Sequence, residues 1–377
     1  MKLGIDCSSY FEELEAGAAY FIDGKKVDPL LEFAKNGVSL FRIRIWNDPF
    51  DENGKPYLGG TVDAQRALEL AKLGKKYGFE IVYDFHYSDF WADPGRQLCP
   101  KAWRGLSYEE VQKRLYQFTY DTLNLAKEAG VEISYAQIGN EITNGTCFPY
   151  GQLHPESAYG EDPEKAEAPN YDGLAGLLKQ GISAAKAVFP SLKAIIHLER
   201  SYDQATYRQY FDALEERNVP YDIIGMSYYP FWHGTIEEFY ANVDMLKARY
   251  NKPVMNMELG YPFTTEDYLL DEDGKAPQLV INGRSDLVKN LPFPVTKEGQ
   301  RDFVALFLKL AKEHGLAAVN YWEPCWIPGL NKEVSWASKE GQKYAGDDKD
   351  TRIDWANQAL FDYLGNATPA FHAFKKE

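Results

Sequence analysis

One repeating pattern constrains this chain more than any other feature. Short apolar runs alternate with longer amphipathic ones, eight times over. The apolar runs are Leu3–Asp6, Ser39–Ile45, Phe79–Phe85, Glu132–Ile138, Lys193–His197, Asp222–Tyr228, Pro253–Glu258 and Ala317–Trp322. Between them lie segments with helical spacing. The first carries Leu30, Leu31, Phe33 and Ala34 and ends at Gly37; the second runs from about Asp63 to Gly78. The third opens at Ser107 with Glu110 three residues on, a capping-box signature, and stops at Ala129-Gly130. Leu174–Val188, Ala205–Arg217, Ile236–Tyr250 and Lys297–His314 follow, and a last helix is expected through Ala359, Leu360, Phe361 and Tyr363. Alternation of this kind argues a parallel sheet with crossover helices, and eight units argue closure. The expected fold class is α/β, a single (β/α)8 TIM barrel occupying residues 1–377 as one catalytic domain.

A barrel of this type needs roughly 250 residues. The chain has 377, and the surplus is expected in long loops after strands 1, 4, 7 and 8. Strand-to-helix loops all open on one face, so these insertions build up one end of the barrel. The acidic stretch Asp271-Glu272-Asp273-Gly274 reads as a solvated turn in the loop after strand 7.

Composition excludes several classes of function. The net charge is −15, from 56 acidic and 41 basic residues, which opposes non-specific nucleic-acid binding. No apolar run is long enough to cross a membrane. The four cysteines, Cys7, Cys99, Cys147 and Cys325, have no zinc-type spacing; free thiols are expected, with one long-range disulfide as the alternative. No phosphate-cradling loop, nucleophile elbow or His-x-His pair is present. Aromatic residues make up 15%, with 26 Tyr and 8 Trp. Most belong to packing, but aromatic faces at loop positions also make stacking platforms for sugar rings.

The chemistry is expected at the strand ends. Ala136-Gln137-Ile138-Gly139-Asn140-Glu141 ends one strand, and Val254-Met255-Asn256-Met257-Glu258-Leu259-Gly260 repeats the arrangement on another. These are the fourth and seventh strands. Two carboxyl groups facing one another across a barrel mouth are what glycoside hydrolysis needs. Arg42 and Arg44 share one face of strand 2, where a buried charge must be paired. Arg44, nearer the tip, is placed to bond a catalytic carboxylate; Arg42 suits a structural ion pair with Asp84 or Glu80. The run from Asp84 to Gly95 brings His86, Asp89 and Trp91 to the end of strand 3. His197 closes strand 5, Tyr228-Tyr229-Pro230-Phe231-Trp232 closes strand 6 and Tyr321-Trp322-Glu323-Pro324 closes strand 8. Core aromatics alone would not fall at strand ends so regularly. A two-carboxylate mechanism requires no cofactor.

These motifs resemble glycoside hydrolase family 53, the arabinogalactan endo-β-1,4-galactanases. The matching stretches are Gly4–Ser9, Arg42–Pro49, Asp84–Pro94, Gln137–Ile142, Tyr321–Pro324 and Asn357–Asp362. The Asp-Phe-His-Tyr-Ser-Asp run followed by Trp-Ala-Asp-Pro is specific to the family; Asn-Glu on strand 4 marks only its wider clan. The resemblance implies a retaining enzyme that cleaves β-1,4-galactan internally, with Glu141 as acid/base and Glu258 as nucleophile. It implies that Asn140 bonds the sugar 2-hydroxyl at the cleavage point and that Trp322 floors that sugar. It makes Arg44 and His86 active-site polar residues and Tyr229 a neighbour of the nucleophile; Asp89, Trp91 and His197 complete the substrate-binding set. Bacterial relatives often carry calcium in the loop after strand 7. Here that loop reads Thr265-Glu266-Asp267-Tyr268-Leu269-Leu270-Asp271-Glu272-Asp273-Gly274, and Trp355-Ala356 precede Asn357. The ligand pattern is not reproduced, so no cofactor and no metal are expected. The expected partner is galactan or a galacto-oligosaccharide, with no nucleic acid and no membrane, and the protein is expected to be a monomer. The compartment is left open between the cytoplasm and secretion with a leader removed. Two alternatives stand beside this reading: the same mechanism on short galacto-oligosaccharides or another β-1,4-glycan, and a carbohydrate-binding protein without catalysis.

Overall fold

The structure, a computed structural model, describes all residues except 155–168, 269–278, 284, 330–334, 347–352 and 377. Eight parallel strands close into a barrel: β1 (Lys2–Asp6), β2 (Leu40–Ile45), β3 (Glu80–Phe85), β4 (Ile133–Ile138), β5 (Lys193–Leu198), β6 (Ile223–Tyr228), β7 (Val254–Leu259) and β8 (Ala318–Trp322). Each strand pairs with the next, and β8 closes on β1 with Asp6 opposite Trp322. All eight expected strands are present, with ends shifted by one residue at most positions.

The crossover helices are α1 (Pro29–Lys35), α2 (Ala64–Lys76), α3 (Tyr108–Glu128), α4 (Tyr171–Val188), α5 (Gln204–Glu216), α6 (Ile236–Tyr250), α7 (Lys297–Glu313) and α8 (Pro369–Ala373). Their starts follow from side-chain caps. Ser107 accepts from the Glu110 amide while Glu110 reaches back to the Ser107 amide, so both halves of the box form. Thr235 and Glu238 repeat it at α6.

One expected element is absent as read. Ala359–Tyr363 is not a helix. A 3-10 turn at Ala356–Gln358 gives way to extended chain, in which Phe361 bridges Ala367 and the Leu360 amide bonds Pro324 O at 2.8 Å. The left-handed Gly365 turns the chain back, and Pro369 starts the true last helix. The apolar residues there pack sideways into the core rather than along a helix face.

Long segments follow β1, β4, β7 and β8 as expected, and those after β2 and β3, residues 46–63 and 86–107, are long too. The acidic turn at Asp271–Gly274 lies outside the described residues. The four cysteines are buried free thiols. Among the described residues no helix is long and apolar enough to cross a membrane.

The barrel interior is layered. Its lower end is apolar, filled by Leu40, Val82, Tyr135, Ile195, Ile223, Met255, Met257 and Ala318. Above that layer the inward residues turn polar: Asp6, Arg42, Asp84, Gln137 and His197, each 1% exposed or less. Buried polar groups are tolerated only when paired, so this layer must be a connected network, and it lies directly under the strand tips.

Candidate active site

The site begins with a break in strand regularity. On β7 the register slips between Met226 and Ser227 of β6: Met226 pairs with Asn256, but Ser227 pairs with Glu258. The skipped residue is Met257. Strict alternation from Met255 would send Met257 inward and Glu258 outward. The bulge lets both face the interior, a device typical of strand ends near sites. On β4 a different device acts. Gly139 (φ +89°) and Glu141 (φ +50°) both adopt left-handed backbone, and the Gly139 amide still bonds Phe85 O at 3.0 Å. A Cβ on Gly139 would lie 2.7 Å from Ile142 Cγ2, so only glycine allows the turn. Non-glycine residues at such φ values carry strain that surrounding contacts must hold. Tyr87 and Glu323, at the tips of β3 and β8, share this conformation.

The two carboxylates converge. An oxygen of Glu141, an oxygen of Glu258 and a ring nitrogen of His197 lie within 4.8 Å of one another. Glu141 is 9% and Glu258 6% exposed, so both are desolvated yet reachable. Their environments differ in sign. Glu258 accepts from Tyr229 Oη at 2.8 Å and pairs with Arg42 Nη2 at 3.0 Å. Glu141 accepts from Ser227 Oγ at 2.6 Å, and among the described residues no cation is recorded within ion-pair distance of it. Burial, then the charge of Glu258, pushes the Glu141 carboxyl well above the usual range. Burial also raises Glu258, but the Arg42 guanidinium and the Tyr229 hydroxyl oppose it. Of the two, Glu141 therefore holds its proton the more strongly.

Arg42 is the hub beneath them. Besides Glu258 it pairs with Asp84 at 2.8 Å and Asp6 at 2.9 Å, and it donates to Gln137 Oε1 at 3.1 Å and Asn140 Oδ1 at 2.8 Å. The expected pair with Asp84 is present; Glu80 pairs with Lys2 instead. Arg44, expected on a catalytic carboxylate, does not reach one. Its guanidinium turns toward β1 and β8, pairing with Glu323 and donating to Ser9 Oγ and Gly59 O at 2.6 Å each. It still borders the cleft, lying 4.2 Å from the Trp91 ring centre.

The other expected residues separate into two groups. His86, Trp91, Asn140, Tyr229 and Trp322 line a cleft of about 420 Å3 together with both glutamates. His86 Nδ1 accepts from Trp46 Nε1 and the Ala92 amide, so its Nε2 carries the proton and donates to Asp84 at 3.0 Å. Asn140 Nδ2 donates to Ala92 O at 2.9 Å. Asp89 and His197 do not line the cleft. Asp89 accepts from the Asp48 and Lys101 amides and from Tyr344 Oη, and so ties the loops together. His197 is fully buried beneath Glu141, bonded to Asn140, Gln137 and Ser227. Burial and nearby Arg42 push its pKa well below the ordinary value, so it is neutral.

Of the further tryptophans lining the cleft, Trp232 belongs to the aromatic run that closes β6, while Trp326, Trp336 and Trp355 had no signal in the sequence beyond their residue type. Trp232, Trp326, Trp336 and Trp355 join Trp91 and Trp322, so six of the eight tryptophans face one cleft. His233 also lines it; burial lowers its pKa to about 3, and its Nδ1 accepts the Tyr229 amide at 3.2 Å. The proximity of Glu141, His197 and Glu258 resembles a cation site, but both nitrogens of His197 already face hydrogen-bonding partners and Glu258 already has Arg42. Residues 269–274 of the loop where the resemblance would place calcium lie outside the described residues.

A (β/α)8 barrel with two converging buried carboxyls at the tips of β4 and β7, under an aromatic cleft, defines a glycoside hydrolase of the two-carboxylate class. Comparison with known proteins narrows this. The model of glycosyl hydrolase family 53 matches residues 2–374, and the chain belongs to that family. It is 36% identical to a Niallia circulans protein described as "Uncharacterized protein in bgaB 5'region", covering 99% of this chain and 93% of that one. It is 31% identical to the endo-beta-1,4-galactanase of Bacillus subtilis (strain 168), covering 99% of this chain and 85% of that one. Among solved structures, the Ignisphaera aggregans GH53 catalytic domain superposes with a TM-score of 0.84 at 35% identity, covering 98% of this chain and 94% of that one.

Proposed function

We propose that the chain is a retaining, endo-acting hydrolase of β-1,4-galactan. The observation that carries the stereochemistry is the carboxylate separation. One oxygen of Glu141 lies within 4.8 Å of one oxygen of Glu258, which suits direct attack. An inverting enzyme needs about 6.5–9.5 Å between its carboxyl groups to admit a water. The substrate class rests on the family and on the relatives described as galactanases.

In the first step Glu258 attacks the anomeric carbon while Glu141 transfers its proton to the leaving glycosidic oxygen. The bond between that oxygen and the anomeric carbon breaks, and a galactosyl-enzyme forms on Glu258. Glu141, now ionised, takes a proton from water, whose oxygen displaces Glu258 and restores both groups. Arg42 and Tyr229 hold Glu258 ionised for attack and stabilise it again as a leaving group. Asn140, fixed by Arg42 and Ala92 O, sits beside Glu141 to bond a sugar hydroxyl, and Trp322 offers an aromatic face among Trp91, Trp326 and Trp355. The test is digestion of linear galactan with sizing of the products. Internal cleavage gives a ladder of oligosaccharides, and Glu141→Gln or Glu258→Gln should each abolish it. Full activity of either variant, or no products from the parent, would sink the reading.

A further inference from the structure

Ser227 has a single hydroxyl proton and two neighbours that compete for it. Its Oγ lies 2.6 Å from Glu141 Oε1 and 2.8 Å from His197 Nε2. It is completely buried, so no bulk water settles the choice. The direction of this bond follows from the network behind it. Gln137 Oε1 accepts from Arg42 Nε, which fixes the Gln137 amide with its NH2 toward Asp84 and His197. Asn140 donates through Nδ2 to Ala92 O, so its Oδ1 is the acceptor that takes the Arg42 hydrogen. Gln137 spends one hydrogen on Asp84; its other lies nearest His197 Nδ1 at 3.0 Å, with Asn140 Oδ1 at 3.1 Å and Gly139 O at 3.2 Å beside it. His197 Nδ1 also lies 3.1 Å from Asn140 Oδ1, but that oxygen already accepts from the charged Arg42 at 2.8 Å; with the Gln137 hydrogen on Nδ1, the neutral imidazole carries its own on Nε2 and gives it to Ser227. Ser227 in turn has only Glu141 to donate to.

We propose that Ser227, held by the Nε2–H tautomer of His197, is the positioning residue that decides which oxygen of Glu141 carries the acidic proton. The inference rests on the reading of Glu141 as the acid/base. Oε1 always receives a hydrogen from Ser227 and cannot point one back. The acidic proton is therefore confined to Oε2, the oxygen left free for the leaving group. During glycosylation that proton moves from Oε2 to the departing oxygen; Ser227 and His197 keep theirs. During deglycosylation the same bond stabilises the ionised carboxylate that accepts a proton from water. One fixed tautomer serves both steps, and no rearrangement of the buried network is required between them.

The groups facing Glu141 are Glu258 from β7, Glu199 just after β5 and Asp93 from the loop after β3, all acidic, with Ser227 as the donor opposing them. Those facing His197 are Arg42 on β2, His86 after β3 and His233 after β6. Removing the Ser227 donor weakens the ionised form of Glu141. The basic limb of the kcat/KM profile on galactan, set by loss of the acid, should move to higher pH.

The experiment compares the parent with Ser227→Ala and Ser227→Thr on two substrates, galactan and a dinitrophenyl β-galactobioside whose leaving group departs without protonation. For Ser227→Ala, kcat/KM on galactan is expected to fall roughly tenfold or more, the size of a lost bond to a charged group. Its basic limb should rise, and kcat/KM on the activated substrate should stay unchanged. Ser227→Thr, which keeps the hydroxyl, should restore the limb. Equal losses on both substrates, or an unmoved limb, overturn the proposal. A nitrogen-15 spectrum of the histidine-labelled parent needs no variant: a protonated Nε2 on His197 is expected, and a protonated Nδ1 overturns it. Glu141→Gln is run alongside. If it still degrades galactan, the acid/base reading itself fails; if it is inactive while Ser227→Ala behaves like the parent, only the positioning role fails.

Discussion

Tyr229→Phe isolates one interaction of the nucleophile and changes almost nothing else. The Tyr229 hydroxyl donates to Glu258 Oε2 at 2.8 Å, while the ring packs against Phe231, Trp232 and Trp355 at 5.1 to 6.0 Å between ring centres. Phenylalanine keeps those ring contacts and deletes only the donor. A hydrogen bond to a charged acceptor is worth about 1.5–3 kcal/mol. The bond favours the ionised form of Glu258, both before attack and when it leaves. Its removal should therefore lower kcat/KM on galactan by roughly ten- to a hundredfold, at 1.4 kcal/mol per decade. The sign of the pH effect follows from the same bond. Tyr229 holds the Glu258 pKa down against burial, so without it the pKa rises and the protonated, inactive form persists to higher pH. The acid limb should move upward. Because the two carboxyls titrate as a coupled pair, the limb is read as a property of the pair. The assay is reducing-sugar release from galactan across the acid range, with thermal unfolding as a control for the fold. A rate within twofold of the parent, or an acid limb that stays put, would refute the claim that this hydroxyl supports the nucleophile.

Four further outcomes follow. Glu141→Gln should be more stable than the parent near about pH 8: a folded-state pKa raised by burial gives stability present below the unfolded value and lost as pH rises, so the gain should vanish near about pH 4 in thermal melts. Arg42→Lys should leave acceptors among Asp6, Asp84, Gln137, Asn140 and Glu258 unpaired, costing about 3–5 kcal/mol in denaturant unfolding; an unchanged midpoint would contradict the hub role. Gly139→Ala forces a Cβ into Ile142 at φ +89° and should cost about 1–3 kcal/mol, together with activity as Glu141 shifts; wild-type stability would argue that the turn can relax. Exhaustive chelation with EDTA should leave the melting temperature and galactan cleavage unchanged, and a drop in either would restore a metal to the account.

Much of this was legible in the sequence because the signals were local. Eight apolar runs and their caps define the barrel, and Gly139-Asn140-Glu141 at a strand end needs only the knowledge that strands end at a mouth. What the sequence concealed depends on contacts across the barrel. Arg42 and Arg44 share one face of β2, and nothing local says that the lower one serves Glu258 while the upper one turns to Glu323. The inward direction of Glu258 depends on the bulge at Met257, which period-two reasoning would have missed. His197 closes a strand just as His86 does, but His86 reaches the cleft and His197 lies beneath it. Trp326, Trp336 and Trp355 come from the long segment after β8, where no periodicity marks a direction. The run from Ala359 to Tyr363 has helical composition, yet its backbone bonds go to Pro324 O and Ala367.

The concentration of indoles has a practical consequence for following the protein in solution. Trp91, Trp232, Trp322, Trp326, Trp336 and Trp355 border the cleft, while Trp46 and Trp103 do not. Six of the eight indoles are therefore placed to report on a sugar chain bound in the cleft. Occupancy becomes readable optically, without label or turnover, and an inactive Glu258→Gln protein would let polymer lengths be ranked by titration alone.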